Sequence, residues 1–426
     1  MNEATYGTFS EELHRRQLGK RVPSQVSIEV TRRCPLKCLH CYNNLPMNDR
    51  EARANELTFE EHCKLLDELV ESGCLWLLYT GGEIFGRSDF LDIYTEAKKR
   101  GFLITLFTNG TLITPRIADH LAEWRPFSIE ITLYGATRET YETLTQIPGS
   151  YDKCIRGIRL LLERNLPLKL KTVPTTVNQH EVYEMKRMAE EDFGVPFKFD
   201  PMLNPRIDCS QSPLAVRLSP EEAVALDFVD RRRETEYRGL LDKIFAAGPP
   251  SASSSEKVYG CGGGNSSCAV DPAGQMSICV LSHQEGYNIR EGSFREGWEG
   301  PLLEIRQKPS KGPTICGRCQ LRPMCGMCAA NGELENGDPE KPVEFLCQVA
   351  HLRVYTLGYE VPEHGDCSCC KPGKTREALF ESAARIQRGM AGTERVEIPR
   401  KIEPFKILQA QNSCQSGSCG SCGTVE

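Results

Sequence analysis

The chain has 426 residues, more than one ordinary core accommodates, since single cores stop growing near roughly 250–300 residues; one large domain with smaller companions is expected. Hydrophobic residues make up 39% and charged residues 26%, a globular balance, and no run approaches the ~20 apolar residues of a membrane span. The net charge of -6, with no basic stripe interleaved with aromatics, argues against a nucleic-acid surface that works by neutralising phosphates.

Residues 1–24 form a lead-in with no apolar core and no small-residue cleavage site, so no export signal is read and a cytoplasmic location is expected. From residue 26 to about 200, short β-branched runs alternate with helical patterns, the signature of βα units around a parallel sheet. The expected strands are 26–30, 75–79, 102–107, 127–133, 168–173 and 196–200, with helical segments such as 58–72 between them. Six units fall short of a closed eight-unit barrel, so the fold class is α/β, an open partial (β/α)6 barrel over residues 25–247. In such folds the chemistry gathers at the carboxyl ends of the strands.

A helix beginning near Ser219 and Pro220 follows, and Arg231, Arg232 and Arg233 read as a solvated helical face. GPPSASSS marks a linker over 248–256. Next come a small cysteine-rich domain over 257–350 and a C-terminal section over 351–426, with one amphipathic helix at 375–390 and a Gly/Ser/Cys-rich tail of poorly ordered composition. The chain carries 21 cysteines, which in a reducing compartment indicates metal or cluster ligands rather than disulfides.

The segment EVTRRCPLKCLHCYNN sets Cys34, Cys38 and Cys41 on the loop after the first strand, spaced C-x3-C-x2-C. Three thiolates can hold three irons of a cubane and leave the fourth open, whereas a structural zinc normally takes four protein ligands. With Tyr42 following, this pattern resembles the radical S-adenosylmethionine (SAM) superfamily. The resemblance implies a [4Fe–4S] cluster whose free iron chelates SAM. TGGE at the end of the second strand matches that family's SAM-binding turn: Gly81 and Gly82 allow close backbone approach to a ligand, and Glu83 offers a carboxylate for the SAM ammonium group. Asn109, in FTNG at the third strand end, and Thr132, at the fourth, are carried over as SAM contacts, Thr132 toward the ribose. The arginine that family often has beyond the fourth strand has no clear match.

Between 261 and 347 stand eight further cysteines: Cys261, Cys268, Cys279, Cys316, Cys319, Cys325, Cys328 and Cys347. Eight thiolates suit two fully ligated [4Fe–4S] clusters, and paired zinc knuckles are the alternative. The segment resembles the SPASM domain, the auxiliary-cluster extension of many peptide-modifying radical SAM enzymes. It departs from that pattern in having two rather than three residues between Cys325 and Cys328. The resemblance implies one cluster on Cys261, Cys268, Cys279 and Cys328 and another on Cys316, Cys319, Cys325 and Cys347. Cys63, Cys74, Cys154 and Cys209 read as small buried hydrophobes. Cys367, Cys369 and Cys370, with Cys414, Cys419 and Cys422, leave open a third metal site, a redox tail or no chemical role. The histidines show no paired metal-binding spacing, and no general base stands out.

By resemblance, the reduced cluster cleaves SAM to a 5′-deoxyadenosyl radical that abstracts hydrogen from a peptide or protein. The implied outcome is an oxidative modification such as a thioether or carbon–carbon crosslink. A flavodoxin or ferredoxin-type reductant is the expected partner. A separate leader-recognition protein is expected too, because the lead-in is too short for a peptide-binding winged helix. Small-molecule cofactor biosynthesis of quinone or haem type is the alternative. So is an anaerobic sulfatase maturase, although Val280 stands where that group has an aspartate. A non-enzymatic iron–sulfur carrier would leave the glycine turn and strand-end motifs unexplained.

Overall fold

The computed structural model describes residues 5–250, 257–282, 286–312 and 314–390. Its first six major strands are β1 Gln25–Thr31, β2 Trp76–Gly81, β3 Leu103–Thr108, β4 Ser128–Thr132, β5 Leu168–Thr172 and β6 Phe197–Phe199. They lie side by side in that order, each parallel to the next. All six sequence-read strands are therefore present, and the sheet remains open.

The strands alternate with period two, which decides what each face does. Val26, Ile28, Leu77, Tyr79, Ile104, Leu106, Ile129 and Ile131 are buried on the convex face, where the helices pack. The opposite register, including Ser27, Leu78, Phe107 and Lys171, lines the concave face. The covering helices show their signals locally. In α1, Phe59–Glu71, Thr58 caps the first turn and Glu61 returns the bond to the Thr58 backbone. Its residues Leu65, Leu66 and Leu69, at helical spacing, are buried in the core. In α2, Pro220–Val229, Ser219 and Glu222 repeat the same box with Pro220 in the first turn.

The cysteine-rich region is joined to the barrel sheet. Strand β7, Ser267–Val270, pairs in parallel with β1, with Val26 opposite Cys268. Strands β8, Gln275–Ser277, and β9, Tyr287–Asn288, continue antiparallel from it, giving a nine-stranded sheet. Arg32 bridges the junction, 3.3 Å from both Glu29 and Asp271.

Two features depart from the sequence reading. The lead-in holds a helix, Tyr6–Gln17, whose Tyr6 hydroxyl accepts a bond from Trp76 Nε1 at 3.1 Å. The arginine triplet is not uniformly solvated. Arg231 and Arg232 are exposed, but Arg233 lies 4.1 Å over the Phe199 ring and donates to Asp227 at 2.6 Å. Asp227 is fully buried and also accepts Arg353 Nε at 2.7 Å. That pair ties α2 and α3, Arg231–Ala247, to α4, Glu344–Thr356. The last described helix, α5, Lys374–Met390, packs on both α2 and α4, at the place read from sequence. Among the described residues no helix is long and apolar enough to cross a membrane.

Candidate active site

The loop after β1 carries the cysteine triad to the carboxyl end of the sheet. There Cys34, Cys38, Cys41, Tyr42, Asn109 and Thr132 share the wall of one open cavity of about 420 Å³. Burial pushes the Cys34 thiol up to about 12 and raises Cys38 and Cys41 as well, each also repelled by a neighbouring thiolate or carboxylate. Cluster assembly must therefore displace protons from desolvated thiols. Asn109 donates its side-chain amide to Cys34 Sγ at 3.5 Å, while its own carbonyl oxygen accepts from Thr111.

The glycine turn works differently from its sequence reading. A Cβ on Gly81 would stand 2.1 Å from the Thr31 carbonyl oxygen, and one on Gly82 would stand 2.5 Å from those of Arg32 and Arg33. The two glycines thus let the turn press against the strand that leads into the triad, and Gly81, at φ 123°, needs glycine for its backbone too. Gly82 N–H and Glu83 N–H donate across this contact to Thr31 and Arg33 at 2.7 and 3.0 Å. Both glycines still border the cavity.

Glu83 does not present its carboxylate to the cavity. It is fully buried and accepts Thr108 Oγ1 at 2.7 Å, Asn109 N–H at 2.8 Å and Phe85 N–H at 3.2 Å. Burial raises its pKa to about 7 despite those three donors. Glu83 therefore braces the ends of β2 and β3 against each other. Sequence spacing cannot distinguish a carboxylate turned inward from one turned toward a ligand.

Several supporting residues were not visible in the sequence. Arg206 donates to the Cys41 carbonyl at 3.1 Å, to Asn44 Oδ1 at 2.9 Å and to the Asn44 carbonyl at 3.0 Å, clamping the triad loop from the segment after β6. Glu29, at 2% exposure, accepts Asn43 Nδ2 at 2.6 Å and the Tyr42 hydroxyl at 3.2 Å, so Tyr42 is held from below. Among the described residues Lys171 is the one lysine or arginine in the cavity wall; it lies over the Phe107 ring and 3.2 Å from Glu130. Burial lowers it to about 8.

The further cysteines divide into groups. Cys316, Cys319, Cys325 and Cys347, the last from α4, line one small cavity of about 70 Å³ together with Cys328, Cys367, His351 and His364. Cys279, Cys261 and Cys328 are neighbours; burial and the other two thiols hold Cys279 up to about 11. Cys268 stands apart from both groups. In register with Val26, it is buried at 2% exposure on the helix-covered face, beside Cys74 and Arg21. Cys74 and Cys154 are the buried small residues expected, while Cys63 and Cys209 are only partly buried. Cys367, Cys369 and Cys370 are buried, and Cys414, Cys419 and Cys422 lie outside the described residues.

The donor set fits a [4Fe–4S] cluster with one open iron: three converging thiols, an amide donor to one of them, and free volume alongside. Residues 28–189 match the family model of the radical SAM superfamily. The chain belongs to that superfamily and is a radical SAM enzyme. Its relatives include the AdoMet-dependent heme synthase of Methanosarcina barkeri (strain Fusaro / DSM 804), 27% identical over 335 residues, covering 74% of this chain and 94% of that protein. The mycofactocin maturase MftC of Mycobacterium tuberculosis (strain ATCC 25618 / H37Rv) is 26% identical over 337 residues, covering 76% and 83%. Streptococcus suis SuiB, solved bound to its precursor peptide SuiA, shares the fold with a TM-score of 0.58 at 16% identity, over 80% of each chain. These three matches each span 74–80% of the chain.

Proposed function

We propose that this radical SAM enzyme removes hydrogen from a peptide or protein and completes an oxidative modification, a thioether or carbon–carbon crosslink. The observation that carries the reading is the position of the open cavity. Cys34, Cys38 and Cys41 form one side, and Val280 and Leu281, directly after Cys279, form another. A substrate held there would lie between the SAM-cleaving centre and the further thiols. When bound, the reduced cluster and SAM supply the 5′-deoxyadenosyl radical.

In this reading Cys34, Cys38 and Cys41 ligate the cluster, and Asn109 steadies the Cys34 sulfur. The Gly81–Gly82 backbone, Tyr42 and Thr132 face SAM, with Glu83 fixing the turn from behind. Lys171 offers its ammonium to an anionic group, and the apolar side chains of Leu36, Phe107, Met202 and Leu203 keep water from the reacting carbon. Cys316, Cys319, Cys325 and Cys347, and a set that includes Cys261, Cys279 and Cys328, would hold two auxiliary [4Fe–4S] clusters, which would supply a route for the electron that an oxidative outcome releases. A flavodoxin or ferredoxin-type protein supplies the first electron.

The peptide reading is supported by a relative named for a peptide, the PqqA peptide cyclase of Granulibacter bethesdensis (strain ATCC BAA-1260 / CGDNIH1), 25% identical over 360 residues and covering 80% of this chain and 93% of that protein. A second reading, cofactor biosynthesis of haem type on a tetrapyrrole, is favoured by the heme synthase that matches across 94% of its own length. Anaerobic incubation of the reconstituted enzyme with SAM and dithionite separates them. Loss of two hydrogens from a short cysteine- or aromatic-rich peptide encoded beside the gene supports the first. Turnover of iron coproporphyrin III with the peptide untouched overturns it in favour of the second.

A further inference from the structure

Beside the second thiol cavity, two histidines and two cysteines meet that no motif pairs in the sequence. One ligand atom from each of His351, His364, Cys367 and Cys370 lies within 4.8 Å of the other three. His351 comes from α4, and the other three from the turns that link α4 to α5. His364, Cys367 and Cys370 stand at successive intervals of three, so one compact turn can aim all three at a single point. Cys367, Cys370 and His351 are essentially excluded from solvent, and His364 is 9% exposed.

We propose that these four residues bind one tetrahedral zinc ion, at the edge of the second thiol cavity, whose wall His351, His364 and Cys367 share. The orientation of the imidazoles argues for it. His351 turns Nδ1 to the Cys347 carbonyl at 2.8 Å, leaving Nε2 3.8 Å from Cys367 Sγ. His364 has Nδ1 3.2 Å from the Pro362 carbonyl and 3.5 Å from Cys370 Sγ, while its buried Nε2 makes no well-aligned hydrogen bond and the ring lies near the Cys319 and Cys367 thiols. An imidazole that gives one N–H to a backbone carbonyl and leaves the other nitrogen bare is poised as a metal ligand. With Zn–S near 2.3 Å and Zn–N near 2.0–2.1 Å, tetrahedral geometry places sulfur and nitrogen ligands about 3.6 Å apart. The separation of 3.8 Å between His351 Nε2 and Cys367 Sγ is close to that value.

The donor chemistry selects the metal. Two thiolates with two imidazoles suit zinc, whereas calcium and magnesium require oxygen. A cubane holds its thiolates on separate irons and needs a wider set than this one. The Cys369 thiol contacts that of Cys367 but lies outside the four-atom group. Zinc here pins the 364–370 turn to α4, one turn from Cys347. The site is thus a clasp that fixes the wall of the second thiol cavity, and the inference holds whatever the substrate.

The test is metal analysis of the full chain purified anaerobically with iron and zinc both supplied, together with zinc-edge X-ray absorption. About one zinc per chain is expected, with two sulfurs near 2.3 Å and two nitrogens near 2.0 Å. Cys370→Ala should lose zinc at least tenfold at unchanged iron content, while Cys369→Ala retains it. Absence of zinc from the wild type, an all-sulfur zinc shell, equal zinc loss from Cys369→Ala, or loss of about four irons with Cys370→Ala would each overturn the site. The wild-type absorption spectrum decides the question even where a variant fails to fold.

Discussion

Asn109 donates its side-chain amide to the Sγ of Cys34 at 3.5 Å, so the end of the third strand is tied to the first thiol of the triad. Its backbone N–H is held in turn by Glu83 at 2.8 Å, and the glycine turn and the cysteine loop thereby form one braced unit. The predictions below follow from that unit and from the structure around it.

Glu83 is the buried brace, its pKa raised by burial from 4.5 to about 7. The folded state binds this proton more tightly than the unfolded chain does. The stabilisation is thus fully present below pH 4.5 and lost as pH rises through about 7. The difference in unfolding free energy between wild type and Glu83→Gln should therefore decline over that window, by as much as about 3 kcal/mol. Urea titrations of the cluster-free chain across pH 5–7.5 measure it, and a constant difference contradicts the role.

Lys171 titrates in the opposite sense: its charged form is disfavoured in the fold, where burial lowers it from 10.5 to about 8. The unfolded chain keeps its proton to higher pH, so stability gains as pH rises from about 8 toward 10.5. Lys171→Met should abolish that rise and raise KM for an anionic substrate at least about tenfold, since a charge-assisted contact is lost. Thermal scans against pH and steady-state kinetics read the two effects separately.

Arg206 clamps the triad loop through the Cys41 and Asn44 carbonyls without touching a thiol. Arg206→Ala should weaken cluster retention about 10–100-fold, the usual effect of removing a group that orients metal ligands. The chain should remain folded, with circular dichroism unchanged while iron is lost faster to a chelator.

Asp227 carries two arginines, Arg233 and Arg353, in a buried charge cluster. Asp227→Ala leaves Arg353 uncompensated at 4% exposure and should cost about 3–5 kcal/mol. A fall in the urea midpoint at constant slope reports it.

Cys268 and Cys279 give a direct contrast. Cys268 faces the helix-covered side of the sheet, whereas Cys279 adjoins Cys261 and Cys328. Cys279→Ala should remove about four irons per chain and Cys268→Ala none. Equal losses would return Cys268 to the ligand set.

The strands, the triad and the glycine turn were legible because each rests on local information: period-two patterning, cysteine spacing and a turn that only glycine permits. What escaped depends on where a side chain turns after the chain has folded. Glu83 reads as a ligand contact until the fold directs it into the interior, and Cys268 reads as a cluster ligand, while its register with Val26 puts it on the helix-covered face. His351 and His364 lie too far apart in sequence to suggest a pair, yet a helix and a tight turn bring them together; the spacing of His364, Cys367 and Cys370 was the one readable signal. Arg233 belongs to a charged run on a helix surface, and only the approach of Asp227 and Phe199 takes it out of solvent.

The central claim is that Cys34, Cys38 and Cys41 hold the centre that cleaves SAM. The most direct measurement is 5′-deoxyadenosine formation from SAM under dithionite, in the anaerobically reconstituted wild type and in the Cys34→Ala, Cys38→Ala, Cys41→Ala triple variant. The wild type should form it, while the variant forms none and carries about four fewer irons. Undiminished 5′-deoxyadenosine formation by the variant would contradict the account.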